Sequence, residues 1–358
     1  MTNSPLVSVC IPAYNAAKTI SETLDTILSQ TYGPIEIIVS DNNSTDNTLQ
    51  VIEQYGKHVR SIRCPTRIFN HNDSLEVSLS AFNNGHRVFL PYAQGEFLTV
   101  YHADDVYDRQ IIQKEVEFLT SHPDCGAVFT MHRFIDEHGR ILIRPPVRLH
   151  PEIRNKNEYD LGELLNAMLM HGLVLPTPSV MARRSLWEKM DHSNPSFAHA
   201  ADCELWIRMA AHSKIGIKDE ILFSRRIGKS QDSYRWYKNY RQKESPIFKL
   251  FESYITRDDI RPFMKEQSLV SLKRGWFKDY VRLALNYFED NEIQGGTKYL
   301  KQAYSLRKEL GPLPDRNSKI WNCFFRLLMF APTPFIRCQL ASLINRLYRH
   351  KQFGSSSL

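Results

Sequence analysis

Apolar residues come in short continuous runs near the start of the chain. The runs 7–11 and 35–39 end at Pro12 and at a polar turn, so both predict buried strands. Between them Ile20, Leu24 and Ile27 recur at helical spacing, and a helix over 47–55 follows the second run. Strand and helix alternating through short connections is typical of an α/β protein whose parallel sheet is flanked by helices.

The alternation of strands and helices continues to about residue 230, and the pattern after it is helical. A strand over 97–101 leads directly into the segment 102–105, and an amphipathic helix is predicted over 202–211. From about residue 230 the chain is richer in aromatic and basic residues, and its pattern is helical nearly throughout. We therefore expect two domains, an α/β domain over 1–229 and a helical region over 230–358.

Composition excludes several classes of protein. The chain is 42% hydrophobic and 24% charged, which is ordinary for a globular protein that buries its own core. Its six cysteines form no CxxC pair, so a structural zinc site is not expected. We expect instead that the thiols are reduced and that the protein is cytosolic. No signal peptide opens the sequence, and no stretch reaches the about 18 apolar residues of a membrane span.

The net charge of +7 suits an acidic partner without selecting one. Nucleic acid, acidic lipid and phosphorylated substrates all match that sign. Because the chain carries no recognised nucleic-acid-binding motif, we expect no nucleic-acid partner.

Carboxylates stand at three positions just after predicted strands. In open α/β sheets ligands bind at the carboxyl ends of strands, where Asp41, Asp46 and the pair Asp104-Asp105 are expected. Adjacent carboxylates repel each other unless they share a cation, and hard oxygen ligands suit Mg²⁺ or Mn²⁺. Capping of the following helix is the other interpretation of each, and it is favoured for Asp46.

Asp202 lies in the first turn of the predicted helix over 202–211. A carboxylate there is either a general base facing the crevice or a residue that caps the helix and complements its dipole. Glu204 points elsewhere on the helix and is the weaker candidate for the base.

Four segments together resemble the family 2 glycosyltransferases, whose GT-A fold is a Rossmann-like, mostly parallel sheet flanked by helices. The resemblance covers residues 6 to about 233, and it rests on the order and spacing of the segments more than on any one of them. The segments are VSVCIPAYN (7–15), IIVSDNNSTD (37–46), GEFLTVYHADD (95–105) and ADCELWIR (201–208).

The resemblance implies an inverting, hexosyltransferase-type enzyme that takes a nucleotide-diphosphate sugar, with a UDP-sugar favoured. Asp202 matches the catalytic base. Asp104 and Asp105 match the aspartate motif that holds Mn²⁺ or Mg²⁺ against the ribose and diphosphate of the donor. The nucleotide pocket would be lined by Pro12, Ala13, Tyr14 and Asp41, the last accepting the imide N–H of a pyrimidine base.

The chain departs from the family at several positions. His102 stands where the motif usually opens with a further Asp, and Gly228 stands in place of a family histidine. Arg226 or Lys229 is expected to neutralise the diphosphate, and Arg87 is the candidate for an arginine that binds the donor. These departures leave open a second interpretation, a catalytically degraded relative that binds nucleotide sugars or acts as a scaffold.

Thr177-Pro178-Ser179 matches a segment that lines the acceptor side in the family. An ordinary turn before a strand explains the same residues equally well. Under the first interpretation, Thr177 and Ser179 face the acceptor.

The carboxyl-terminal sequence is basic and amphipathic. No acidic residue follows Asp315, and cations alternate with aromatic and aliphatic residues. Such helices either lie on an anionic membrane surface or pack their apolar faces on the rest of the protein. The first interpretation fits a glycan or lipid-linked acceptor in cell-surface polysaccharide biosynthesis, and a cytoplasmic protein peripheral at the inner face of the cell membrane.

Overall fold

The computed structural model describes residues 4–63, 89–143, 145–190, 194–228, 242–313 and 316–353. The chain divides into two compact units, Met1–Arg235 and Trp236–Leu358. That division falls within 229–241, outside the described residues, and the domain boundary near residue 229 stays a prediction from composition.

Within the described residues, a nine-stranded sheet forms the centre of the first unit, with the strand order β3-β2-β1-β4-β8-β6-β9-β5 and β7 paired to β9. The sheet is mostly parallel on the β1 side and mixed beyond β4. Its strands are β1 Val7–Ala13, β2 Ile35–Asp41, β3 Arg60–Arg63, β4 Phe97–Val100, β5 Val106–Tyr107, β6 Cys125–Ile135, β7 Glu158–Tyr159, β8 Val180–Arg183 and β9 Lys214–Arg226.

The pairing brings the ends of several strands to one rim of the sheet. Strand β1 pairs in parallel with both β2 and β4, so all three end on the same side. Strand β8 runs antiparallel to β4 with Val180 opposite Val100, so β8 begins where β4 ends. Strands β6 and β9 are parallel and close with Ile135 opposite Arg226. The loops that carry the candidate residues therefore share one edge.

Helices cover the sheet of the first unit. In α1, Ile20, Leu24 and Ile27 are fully buried, as their helical spacing predicts. Burying each such side chain contributes about 1.5–3 kcal/mol to folding. Helix α4 begins with a capping box formed by Asp160 and Glu163. The helices are α1 Ile20–Leu28, α2 Thr48–Glu53, α3 Ile111–Ser121, α4 Leu161–His171, α5 Arg184–Trp187 and α6 Ala201–Ala210.

Helices also make up the second unit. Gly295 and Gly296 let α8 and α9 approach closely, because a Cβ at Gly296 would lie 2.7 Å from the ring of Phe288. No helix in the described part of the chain is both long and apolar enough to cross a membrane. The helices are α7 Pro246–Ile255, α8 Glu266–Glu289, α9 Ile293–Glu309, α10 Arg316–Phe330 and α11 Pro334–Phe353.

Candidate functional site

The segment after β4 gathers three side chains of the types that can bind a metal ion. His102, Asp104 and Asp105 offer ligand atoms that all lie within 4.8 Å of one another. Asp105 is 1% exposed, and its Oδ1 accepts a hydrogen bond from the backbone N–H of Arg226 at 2.8 Å. Its Oδ2 is buried and has no hydrogen-bond partner among the described residues. A buried orphan carboxylate oxygen beside a second carboxylate fits a hard divalent cation.

The side chain of Arg226 makes hydrogen bonds to this segment and to neighbouring loops. Its Nε donates to the carbonyl of Asp104 at 2.8 Å, and its Nη1 donates to the carbonyls of Asp136 and Glu137 at 3.1 and 3.2 Å. Its Nη2 lies 2.5 Å from Oε2 of Glu22. The side chain is buried, so the guanidinium holds protein groups and is not presented to a diphosphate as the sequence analysis expected. We therefore do not include it among the donor ligands.

Arg225 lies near enough to the candidate site for its charge to act on two of the carboxylates there. Successive residues of a strand point to opposite sides, so Arg225 and Arg226 diverge at the end of β9. Burial raises the pKa of Asp105 and of Asp202, and the positive charge of Arg225 acts against it at both. Sequence reasoning missed this residue, although two consecutive arginines at a strand end already require one on each side.

Asp202 lies in the first turn of α6 and does not cap that helix. The cap position is Ala200, with no side-chain hydrogen bond, whereas Thr177 Oγ1 donates to Asp202 Oδ2 at 2.8 Å. Burial raises the pKa of Asp202, and the Thr177 hydrogen bond and the charges of His102 and Arg225 oppose that rise. A carboxylate that keeps partial solvent access while surrounded by protein has the setting of a general base.

His102 links the two groups of carboxylates. Burial lowers its pKa, and the charges of Asp104 and Asp202 oppose that shift from two sides. Its backbone N–H donates to the Tyr107 hydroxyl at 2.7 Å, which holds the start of the segment. A histidine with a lowered pKa is neutral at physiological pH and keeps a nitrogen lone pair, the form that binds metals.

The loops after β1 and β2 form the other end of the rim, where residues 12–14 and Asp41 lie. Asn15 Oδ1 accepts from the Thr45 N–H at 2.8 Å, which ties one loop to the other. Asp41 is 1% exposed; it accepts from the N–H of Ser44 at 3.2 Å and from the Ser44 hydroxyl. A carboxylate has about four lone-pair sites, so these bonds leave it acceptor capacity.

The hydroxyls of Ser179 and Thr177 have different hydrogen-bond partners, although the two residues share one turn. Ser179 is fully buried; its hydroxyl accepts from the N–H of Thr130 at 3.1 Å, and the carbonyls of Thr130 and Pro176 lie within hydrogen-bond distance of it at 3.1 and 3.0 Å. Its hydroxyl is committed to the framework, so we keep only Thr177 on the acceptor side. Two further residues from the sequence analysis, Arg87 and Lys229, lie outside the described residues.

Glu204, the weaker candidate for the base, is engaged elsewhere. Its side chain is buried, and Oε1 lies 2.7 Å from Arg208 Nε one helical turn along α6. A carboxylate held in such a pair is not available to take up a proton from a substrate, which leaves Asp202 as the candidate on this helix.

Comparison with known proteins identifies the class. Residues 8–175 match the model of glycosyl transferase family 2. An uncharacterised glycosyltransferase of Rickettsia typhi is 28% identical over 320 residues, which are 86% of this chain and 93% of that protein. Chondroitin synthase of Pasteurella multocida is 24% identical over 222 residues, 62% of this chain and 20% of that protein.

Solved structures show the same architecture. S. aureus TarS 1-349 in complex with UDP-GlcNAc superposes with a TM-score of 0.56 at 17% identity, covering 96% of this chain and 92% of that one. Mannosyltransferase PcManGT from Pyrobaculum calidifontis, in complex with GDP-Man and Mn²⁺, gives 0.54 at 18% identity, covering 97% and 88%. The family match over residues 8–175, just under half of the chain, and these structures show that the chain is similar to the family 2 glycosyltransferases and has their GT-A fold.

Proposed function

We propose that the protein transfers a sugar, with inversion, from a nucleotide-diphosphate sugar to a hydroxyl of a glycan or lipid-linked acceptor. A UDP-sugar is the favoured donor, and cell-surface polysaccharide biosynthesis is the setting. One observation carries the proposal: Asp202 and the segment 102–105 lie close enough that His102 interacts electrostatically with both Asp104 and Asp202. The proposed base and the candidate cation site therefore lie close together at the rim of the sheet.

Asp202 is the base in this proposal. It takes the proton of the acceptor hydroxyl as that oxygen bonds to the anomeric carbon of the donor. The bond from that carbon to the diphosphate breaks on the opposite face, and the nucleoside diphosphate leaves with the electron pair. A single displacement of this kind inverts the anomeric configuration. Because burial raises its pKa, Asp202 is a stronger base than an ordinary carboxylate.

Asp104 and Asp105 would hold the divalent cation, Mn²⁺ or Mg²⁺. When bound, such a cation neutralises charge on the diphosphate leaving group. Arg225 supplies a positive charge of the protein's own nearby. Arg226 holds the carbonyl of Asp104 with its Nε and the carboxylate of Asp105 with its backbone N–H. The Mn²⁺ complex of the structurally similar mannosyltransferase supports this proposal.

The nucleotide would bind over the loops after β1 and β2. Pro12, Ala13 and Tyr14 would line its base and ribose, and Asp41 would accept the imide N–H that uracil presents. TarS, of the same fold, is known with UDP-GlcNAc, which supports a uridine nucleotide. On the acceptor side, Thr177 orients Asp202.

Two observations favour the second candidate, a nucleotide-sugar-binding protein without turnover: His102 replaces a family aspartate, and Gly228 replaces a family histidine. Incubation with a panel of nucleotide sugars, with and without Mn²⁺, separates the two. We expect metal-dependent release of the nucleoside diphosphate from one donor, lost in Asp202→Asn. Saturable binding with no release from any donor, with or without candidate glycan acceptors, would instead support the binding protein.

A further inference from the structure

Helix α10 carries apolar residues on two opposite faces. Trp321, Phe325 and Leu328 point inward and are buried in the core of the second unit. The opposite face, which we call the outer stripe, follows a spacing of three, four and three residues and is exposed along its length. The outer stripe consists of Ile320, Cys323, Leu327 and Phe330.

Exposed apolar side chains continue past the end of α10. Phe330 is 83% exposed and Phe335, on the far side of a short turn, is 69% exposed. Leu343, two helical turns farther along α11, is 55% exposed. Isolated exposed apolar residues are common on proteins, but a row of them on consecutive helices marks a binding surface.

The charge around this surface has one sign. Residues 316–358 contain no Asp or Glu, and seven Lys or Arg. Lys319 and Arg326 are exposed beside the outer stripe. Arg326 also lines a groove of about 300 Å³ between α9 and α10, together with Tyr304 and Lys308. The apolar row is thus bordered by cations.

We propose that this surface, the outer stripe with Phe335, Leu343 and the flanking cations, binds an anionic membrane surface. Apolar side chains enter the acyl boundary while Lys and Arg pair with anionic headgroups, which is how interfacial helices bind. A second copy of the chain is a poor occupant, because two-fold pairing of this face would bring like charges together. The proposal is independent of the transfer chemistry, so either can fail alone.

Co-flotation of the full chain with vesicles tests the proposal. We expect binding to vesicles of phosphatidylcholine mixed with phosphatidylglycerol and much weaker binding to phosphatidylcholine alone. Phe330→Ser should weaken binding roughly tenfold, because one large apolar side chain no longer enters the membrane. Arg326→Glu should weaken binding to the anionic vesicles roughly fivefold or more and leave the weak neutral binding unchanged.

Matched controls come from the same unit. Phe263 is 68% exposed and Arg261 is exposed two residues away, so Phe263→Ser and Arg261→Glu repeat the chemistry outside the proposed surface. Both controls should bind vesicles like the parent. Equal recovery of parent and Phe330→Ser with anionic vesicles overturns the proposal. So does a dimer, seen by light scattering without lipid, that Phe330→Ser dissociates.

Discussion

Thr177 Oγ1 donates a hydrogen bond of 2.8 Å to Asp202 Oδ2. The bond joins the turn before β8 to the first turn of α6, and it fixes the direction of the carboxylate. It also stabilises the charged form of Asp202, against the burial that raises the pKa of this group. The hydroxyl therefore serves both the position and the ionisation of the proposed base.

Thr177→Val should move the pH profile of transfer. Without the hydrogen bond the pKa of Asp202 rises further, and activity that needs the ionised carboxylate is lost at a higher pH as pH falls. We expect the acid limb of kcat/KM to shift upward by roughly one pH unit. Thr177→Ser keeps the hydroxyl and should restore the parent profile. If the acid limb of kcat/KM does not shift in Thr177→Val, this hydrogen bond does not affect catalysis.

Asp202→Asn should abolish transfer and leave donor binding nearly intact. The amide keeps the size of the side chain but cannot accept the acceptor proton, so kcat should fall by roughly a hundredfold or more. Calorimetry with UDP and Mn²⁺, beside the transfer assay, measures both effects. Transfer that survives the substitution would refute the assignment of the base.

Asp104→Asn combined with Asp105→Asn should weaken metal-dependent binding of UDP. The two carboxylates lose their charge but keep their shape, and a hard cation loses its anionic ligands. Titration with UDP in Mn²⁺ and in EDTA distinguishes the metal-dependent part. We expect the variant to bind UDP with the same affinity in Mn²⁺ and in EDTA. An affinity in Mn²⁺ equal to that of the parent would show that the cation binds at other residues.

Arg225 and Arg226 should respond to substitution in different ways. Arg226→Gln removes a buried guanidinium from hydrogen bonds to Asp104 and Glu22, and we expect the free energy of unfolding to fall by about 3 kcal/mol or more. Arg225→Gln should keep nearly all stability and lower kcat/KM. Urea unfolding and transfer kinetics on both variants test this contrast, and the reverse pattern would return the diphosphate role to Arg226.

Glu115→Gln should stabilise the protein and flatten its pH dependence. Glu115 is fully buried in α3, where it accepts a hydrogen bond from the Tyr101 hydroxyl at 3.1 Å. Burial raises its pKa well above the usual value, despite the opposing Tyr101 bond and the charge of Lys218. The folded state thus favours the protonated form, and its contribution to stability is lost as pH rises through the raised pKa.

Glutamine keeps the acceptor for Tyr101 and has no proton to lose. The gain in the midpoint of urea unfolding should therefore be larger in mildly alkaline than in mildly acidic buffer. If Glu115→Gln is less stable than the parent in both buffers, the folded protein stabilises the charged carboxylate of Glu115.

Much of the architecture follows from local sequence. The runs over 7–11 and 35–39 form β1 and β2, and the 3.6-residue spacing of Ile20, Leu24 and Ile27 matches the buried face of α1. The position of Asp104 and Asp105 at the sheet rim also follows, because parallel strands end on one side and a residue just past a strand must lie there.

Side-chain direction required the tertiary structure. The sequence does not distinguish Arg225 from Arg226. Which of the two contacts the segment 102–105 depends on how β9 pairs with β6. Thr177 and Ser179 share one 3₁₀ turn, yet the Thr177 hydroxyl contacts Asp202 and the Ser179 hydroxyl contacts Thr130, partners that lie far away along the chain.

The sequence by itself thus determined the alternation of strand and helix at the start of the chain and the residue types at those strand ends, because both depend on neighbours along the chain. Which side chains meet was decided by the tertiary structure. Thr177 and Asp202 lie 25 residues apart, and Arg226 and Asp105 lie 121 apart. Contacts across such separations depend on the register of a mixed sheet, which no local periodicity encodes.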